Sequence, residues 1–229
     1  MGRTESRRFP VWEVFILLII LLFVAVVATI AIPLFHLSGR ASNDRSVQSS
    51  LKTLACAELD FRANDRDGDR VQNFWTGDVA GLYCIRAGPS PPGPPNKLID
   101  LETAAADIHC CPGYSPGIGT ITTQGPKRGY WFQALRRDLE LGESYRQEGG
   151  TGGSVSGNYF HNEKFGFVMY PSSFPSPAKD AFIVNESQTL FKRPLTKHVQ
   201  PVLGQDLGDS AFCDWPTEAT LRSSWSKLD

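Results

Sequence analysis

The chain carries almost no net charge: 23 Lys and Arg against 24 Asp and Glu leave −1 at pH 7. Without a basic cluster it lacks the electrostatic footprint that a phosphate backbone requires, which excludes nucleic acid as a partner. None of the five cysteines forms a C-x-x-C pair, which argues against zinc. The G-x-S-x-G elbow, H-E-x-x-H and the P-loop are missing too, and Gly117-Ile118-Gly119 is followed by Thr122 where a dinucleotide fingerprint has Gly. The four histidines, His36, His109, His161 and His198, have no acidic or cysteine partner at ligand spacing, and Glu58 and Asp60 near Lys52 read as ordinary helix charges. The residues therefore point away from an enzyme.

What is present is a long apolar run. From Val14 to Ile32, nineteen consecutive residues hold no charge and one hydroxyl, Thr29, directly behind Arg7, Arg8, Phe9 and Glu13. As a helix this run measures roughly 28 Å, close to the hydrocarbon thickness of a bilayer. The expectation is a basic cytoplasmic leader over 1–8, a transmembrane helix over 9–37 in contact with membrane lipid, and an exported domain over 38–229. A cleaved secretory signal, the competing reading, has a shorter apolar part. Arg3, Arg7 and Arg8 precede the run against Glu5 alone, so the positive-inside bias puts the N-terminus in the cytoplasm.

Beyond the run, Pro33 removes a helix donor and Ser38-Gly39 adds a soft point, after which Val47, Leu51, Leu54 and Phe61 recur on one helical face. One long kinked helix with an amphipathic second half is the reading, with two separate helices as the alternative. Strands are expected at Gly129–Ala134, Phe165–Tyr170, Ala181–Val184 and Thr189–Lys192, where aromatic and β-branched residues sit between turn residues. Asn185-Glu186-Ser187-Gln188 suits a hairpin turn better than its chance glycosylation sequon. Leu221, Trp225 and Leu228 predict a short terminal helix that packs its Trp. The fold class expected is α+β: a long kinked N-terminal helix packed on an antiparallel sheet, with a short C-terminal helix. Gly88–Pro95 and Gly149–Gly157 read as surface loops.

Two sets of side chains stand out as candidate sites. In an oxidising compartment Cys56, Cys84, Cys110, Cys111 and Cys213 are disulfide candidates, with one left over; adjacent Cys110 and Cys111 would take separate partners among the other three. In Asn64-Asp65-Arg66-Asp67-Gly68-Asp69, the carboxylates of Asp65, Asp67 and Asp69 on a Gly turn offer hard oxygen ligands suited to calcium. With Gly68 in the EF-hand glycine position, however, the first ligand falls on Ala63 and no Glu stands at the distal position. A solvated turn ending the helix is the simpler reading, and no other cofactor is expected.

The N-terminal residues R-R-F-P-V-W-E, followed by the apolar run and A-I-P, resemble the N-terminus of type IV pilins and type II secretion pseudopilins. In that family a prepilin peptidase cuts before a Phe, and a Glu follows four residues later; Phe9 and Glu13 have this spacing. The chain departs from the pattern at Arg8, where the family has Gly, and at Pro10. F-W-T-G-D-V-A-G-L-Y at Phe74 to Tyr83 is similar to pilin-like proteins of planctomycete-type bacteria. The resemblance implies a cut at Arg8-Phe9, a prepilin peptidase as partner, and Glu13 pairing with the new amino group of a neighbour. It implies a single-pass protein of the bacterial inner (cytoplasmic) membrane, its C-terminal domain periplasmic or extracellular, serving as a structural subunit of a pilus, pseudopilus or type II secretion-related assembly through homo- or hetero-oligomeric helix contacts. The alternative is a monomeric, signal-anchored domain that binds a ligand or envelope partner.

Overall fold

The computed structural model describes residues 11–87, 94–108, 121, 123–146, 159–174, 178–196 and 213–228, and within the first helix the side chains at 11, 13, 14, 30–38 and 40 are outside the described set. The chain divides into two compact units, Met1–Ala41 and Ser42–Asp229.

The first unit is the N-terminal part of α1 (Val11–Ala63), which is assigned as one helix straight through position 33. Its described side chains are apolar and open: Trp12, Phe15, Leu17, Leu21, Leu22 and Phe23 are all more than 60% exposed. Among the described residues, no helix is long and apolar enough to cross a membrane. This corrects the expected transmembrane helix and the inner-membrane placement drawn from it.

The second unit is mainly β. After α1 come β1 (Phe74–Trp75), the short helices α2 (Gly81–Cys84) and α3 (Leu101–Ala105), then β2 (Tyr130–Ala134), β3 (Arg137–Asp138), β4 (Glu143–Ser144), β5 (Phe160–His161), β6 (Gly166–Pro171), β7 (Asp180–Asn185) and β8 (Leu190–Pro194). The chain closes with α4 (Glu218–Ser224) and β9 (Ser226–Leu228). Five strands form one antiparallel sheet in the order β2-β6-β7-β8-β9, while β1 pairs with β5 and β3 with β4. The expected α+β class with a membrane-spanning first helix therefore gives way to a mainly β domain with short helices around its sheet. The predicted terminal helix stops at Ser224, and Leu228 belongs instead to β9, paired with Leu190.

Both faces of β2, β6 and β7 are buried, which is why these strands read as aromatic, apolar runs rather than as alternating ones. On one face Tyr130, Phe132, Phe167, Met169, Phe182 and Val184 pack in a cluster with Val47, Leu51, Leu54 and Phe61 of α1. On the other, Trp131, Val168, Tyr170, Ala181 and Ile183 pack with Tyr145, Trp215 and Trp225. The two sets alternate along each strand, as the period of two demands. Polar contacts fasten the helix too: Tyr130 Oη donates to Asp44 Oδ1 at 2.8 Å, and Lys192 Nζ lies 2.6 Å from Asp180 Oδ2 and 3.7 Å from Asp44 Oδ2.

Candidate functional site

The loop that ends α1 gathers the acidic residues singled out from the sequence. Asp65, Asp67 and Asp69 each bring one carboxylate oxygen within 4.8 Å of the others. Backbone turns set this up, with positive φ at Asp65 (46°), Gly68 (76°) and Arg70 (67°). The Arg70 N–H donates to both oxygens of Asp65 at 3.1 Å, and the Val71 N–H donates to Asp69 Oδ1 at 2.7 Å. Asn73 Nδ2 reaches Asp69 Oδ2 at 3.4 Å. Asp67 differs from its neighbours. It is 1% exposed, and neither of its oxygens has a hydrogen-bond partner among the described residues. Burial first, and then the charge of Asp69, push its carboxyl up to about 7. The nearby cation Arg66 is turned to Asp60, 2.8 Å away.

One turn back along α1, Glu58 is completely buried, which corrects its reading as an ordinary helix charge. It falls on the same stripe as Leu51, Leu54 and Phe61, and that spacing was the signal available in the sequence. Its Oε2 accepts the Trp75 N–H at 3.0 Å, tying β1 to the helix, while Oε1 has no partner among the described residues. Burial raises its pKa well above the ordinary carboxylate value, and the Trp75 hydrogen bond only partly opposes this.

The segment Phe74 to Tyr83 is a knot around the Trp75 indole. Asp78 Oδ1 accepts from Trp75 Nε1 at 3.1 Å and from the Gly81 N–H at 2.7 Å. Asp107 Oδ2, buried, accepts from the Val79 and Ala80 N–H groups at 2.7 and 2.8 Å, so two carboxylates satisfy the donors at the start of α2. A Cβ at Gly77 or Gly81 would collide with the indole ring. The carboxylates of Asp78 and Asp107 are spent here on structure.

A second buried cluster surrounds His161. Its Nδ1 accepts the N–H groups of Glu163 and Lys164 at 3.0 and 2.9 Å, which assigns the proton to Nε2, 3.3 Å from Glu143 Oε1. Lys164 Nζ lies 3.3 Å from both Asp138 and Glu143. The acidic partner of His161 is eighteen residues away in the chain, a separation that no ligand spacing in the sequence could show. With both ring nitrogens engaged, the imidazole braces the Glu163 turn.

Other residues singled out in the sequence are not brought together with the acidic loop. Arg8, Phe9, Cys110, Cys111, His109 and His198 lie outside the described residues, as do both Pro/Gly loop cores, and Glu13 and His36 are in α1 with their side chains outside the described set. Cys56 is exposed, Cys84 half-buried and Cys213 buried, the last 3.7 Å from Gln133 Nε2. The chain matches no family model, no curated protein and no solved structure.

Proposed function

We propose that the protein is a structural, non-catalytic subunit that assembles with further copies or related chains through the N-terminal part of α1, as the pilin-like N-terminus suggests. The observation that carries this reading is the open apolar surface running from Trp12 to Val27, where Phe15, Leu18, Leu21, Leu22 and Phe23 are exposed. Contiguous apolar surface of this kind marks an interaction site, because each Leu, Val or Phe buried on association contributes about 1.5–3 kcal/mol. Asp78, Asp107 and His161 support the same view, since each accepts backbone N–H groups.

Glu13 would fix the register of such an assembly. A carboxylate within an apolar run is costly unless paired, and a neighbour beginning at Phe9 after cleavage of Arg8-Phe9 would supply an amino group to pair with it. Sedimentation of the purified chain, uncut and cut before Phe9, tests the reading. Concentration-dependent oligomers are expected for the wild type and monomers for Leu21→Lys, with Glu13→Ala weakening association only in the cut chain. A wild-type chain that stays monomeric at all concentrations contradicts the assembly and favours a ligand-binding domain acting alone.

A further inference from the structure

We propose that the loop from Asp65 to Thr76 is a calcium site that closes the C-terminal end of α1 against β1. The sequence template placed Gly68 in the glycine position and so displaced the first ligand to Ala63, but the backbone supports a different register. Counted from Asp65, the oxygen donors fall at the first, third and fifth places (Asp65, Asp67, Asp69), the seventh is the carbonyl of Val71, the ninth is Asn73 and the twelfth is Thr76. The sixth place, which in an EF-hand loop makes the sharp turn, is Arg70, and Arg70 has the left-handed φ of 67° that this turn demands.

Buried, unpartnered oxygens argue for a ligand independently of this register. Asp67 points its carboxylate into the cluster with no hydrogen bond to either oxygen among the described residues, although it is 1% exposed. Asn73 Oδ1 and Thr76 Oγ1 are buried and lack partners among those residues, each residue being 2% exposed; the register assigns both to the ion, which for Asn73 requires its amide to turn from the Nδ2 contact it makes with Asp69. An ionised carboxylate in such a place is strongly unfavourable without a cation, and the nearest guanidinium, that of Arg66, is committed to Asp60. All donors are hard oxygens at irregular positions, which suits calcium better than the strict octahedron of magnesium. Thr76 stands where strong loops place a bidentate Glu, so the affinity falls at the weak end of the scale, with Kd about 10⁻⁵–10⁻³ M.

Isothermal titration of calcium chloride into the full chain, with melting measured alongside, tests the site. One ion per chain, a Tm that rises with calcium, and at least a tenfold weaker response to magnesium are expected. Asp67→Asn should lose calcium binding at least tenfold and, in chelator, melt no lower than the wild type, since it removes a buried unpaired charge. Glu218→Gln, an exposed carboxylate on α4 that pairs only with Arg222 of its own helix among the described side chains, should bind calcium as the wild type does. No heat and no Tm shift in millimolar calcium, or undiminished binding by Asp67→Asn, overturns the proposal. It stands apart from the assembly reading, because the loop belongs to the second unit and the ion is detected whether or not the chain oligomerises.

Discussion

Glu58 and Asp67 are buried carboxylates whose pKa values are both raised, and this fixes the sign of their contribution to the pH dependence of stability, opposite to that of Asp100 and Glu143, whose values are lowered. A raised pKa means that the folded state holds its proton where the unfolded chain has released it. The stabilisation is complete below the unfolded carboxylate values of 4.5 for Glu58 and 3.8 for Asp67 and drains away as pH rises toward the folded values, about 7 for Asp67. Each group can contribute a slope of up to about 1.4 kcal/mol per pH unit within its window. In calcium-free buffer, urea midpoints should therefore fall as pH rises through the mildly acidic range. Glu58→Gln keeps an acceptor for the Trp75 N–H and cannot ionise, so its midpoints should fall less steeply and exceed the wild type at neutral pH. Identical slopes for the two chains would show that Glu58 is not the buried acid described here.

At the scale of elements, legibility followed strand length and burial. β2, β6 and β7 were readable because they are five or six residues long and covered on both faces, which favours aromatic and β-branched side chains on them, while the half-buried β8 was readable from Leu190 and Phe191 after the Asn185 turn. The Asn185 turn was readable as well: Asn185 Oδ1 accepts from the Ser187 N–H at 3.2 Å and from Ser187 Oγ at 2.7 Å, and Gln188 takes φ 60°. By contrast β1, β3, β4 and β5 have two residues each, too few to express any period, and their pairings are set by distant partners such as Trp75 opposite Phe160. β9 was concealed because Leu221, Trp225 and Leu228 happen to keep helical spacing after the helix has ended. Trp225 is the joint between α4 and β9 and fills the cluster with Val168, Ile183 and Trp215. Trp225→Ala should cost about 3–5 kcal/mol in chemical denaturation and release β9 from β8. A loss below about 1 kcal/mol would mean that this face of the sheet is covered without it.

For the whole molecule, the division at Ala41 separates two chemistries. Many described apolar residues from Ser42 onward are buried and were partly foreseeable, whereas the described apolar side chains of the first unit, Trp12 and Phe15 to Val27, are exposed. In the sequence, length and greasiness alone suggested a bilayer for this run. The acidic loop was legible as residue types but not as a register, since Gly68 drew the template two places away from the left-handed residue that matters, Arg70. The resemblance at Phe9 and Glu13 remains the reason to expect helix-to-helix assembly, and the exposed side chains of α1 are where it would act.

Hydrogen exchange of the full chain, followed as a function of protein concentration, tests that assembly most directly. Amides within Leu51–Phe61, covered by the sheet domain, should be protected at every concentration, while those within Phe15–Thr29 should gain protection as concentration rises, because helix association buries them. Protection of Phe15–Thr29 that does not change with concentration would contradict assembly through this surface.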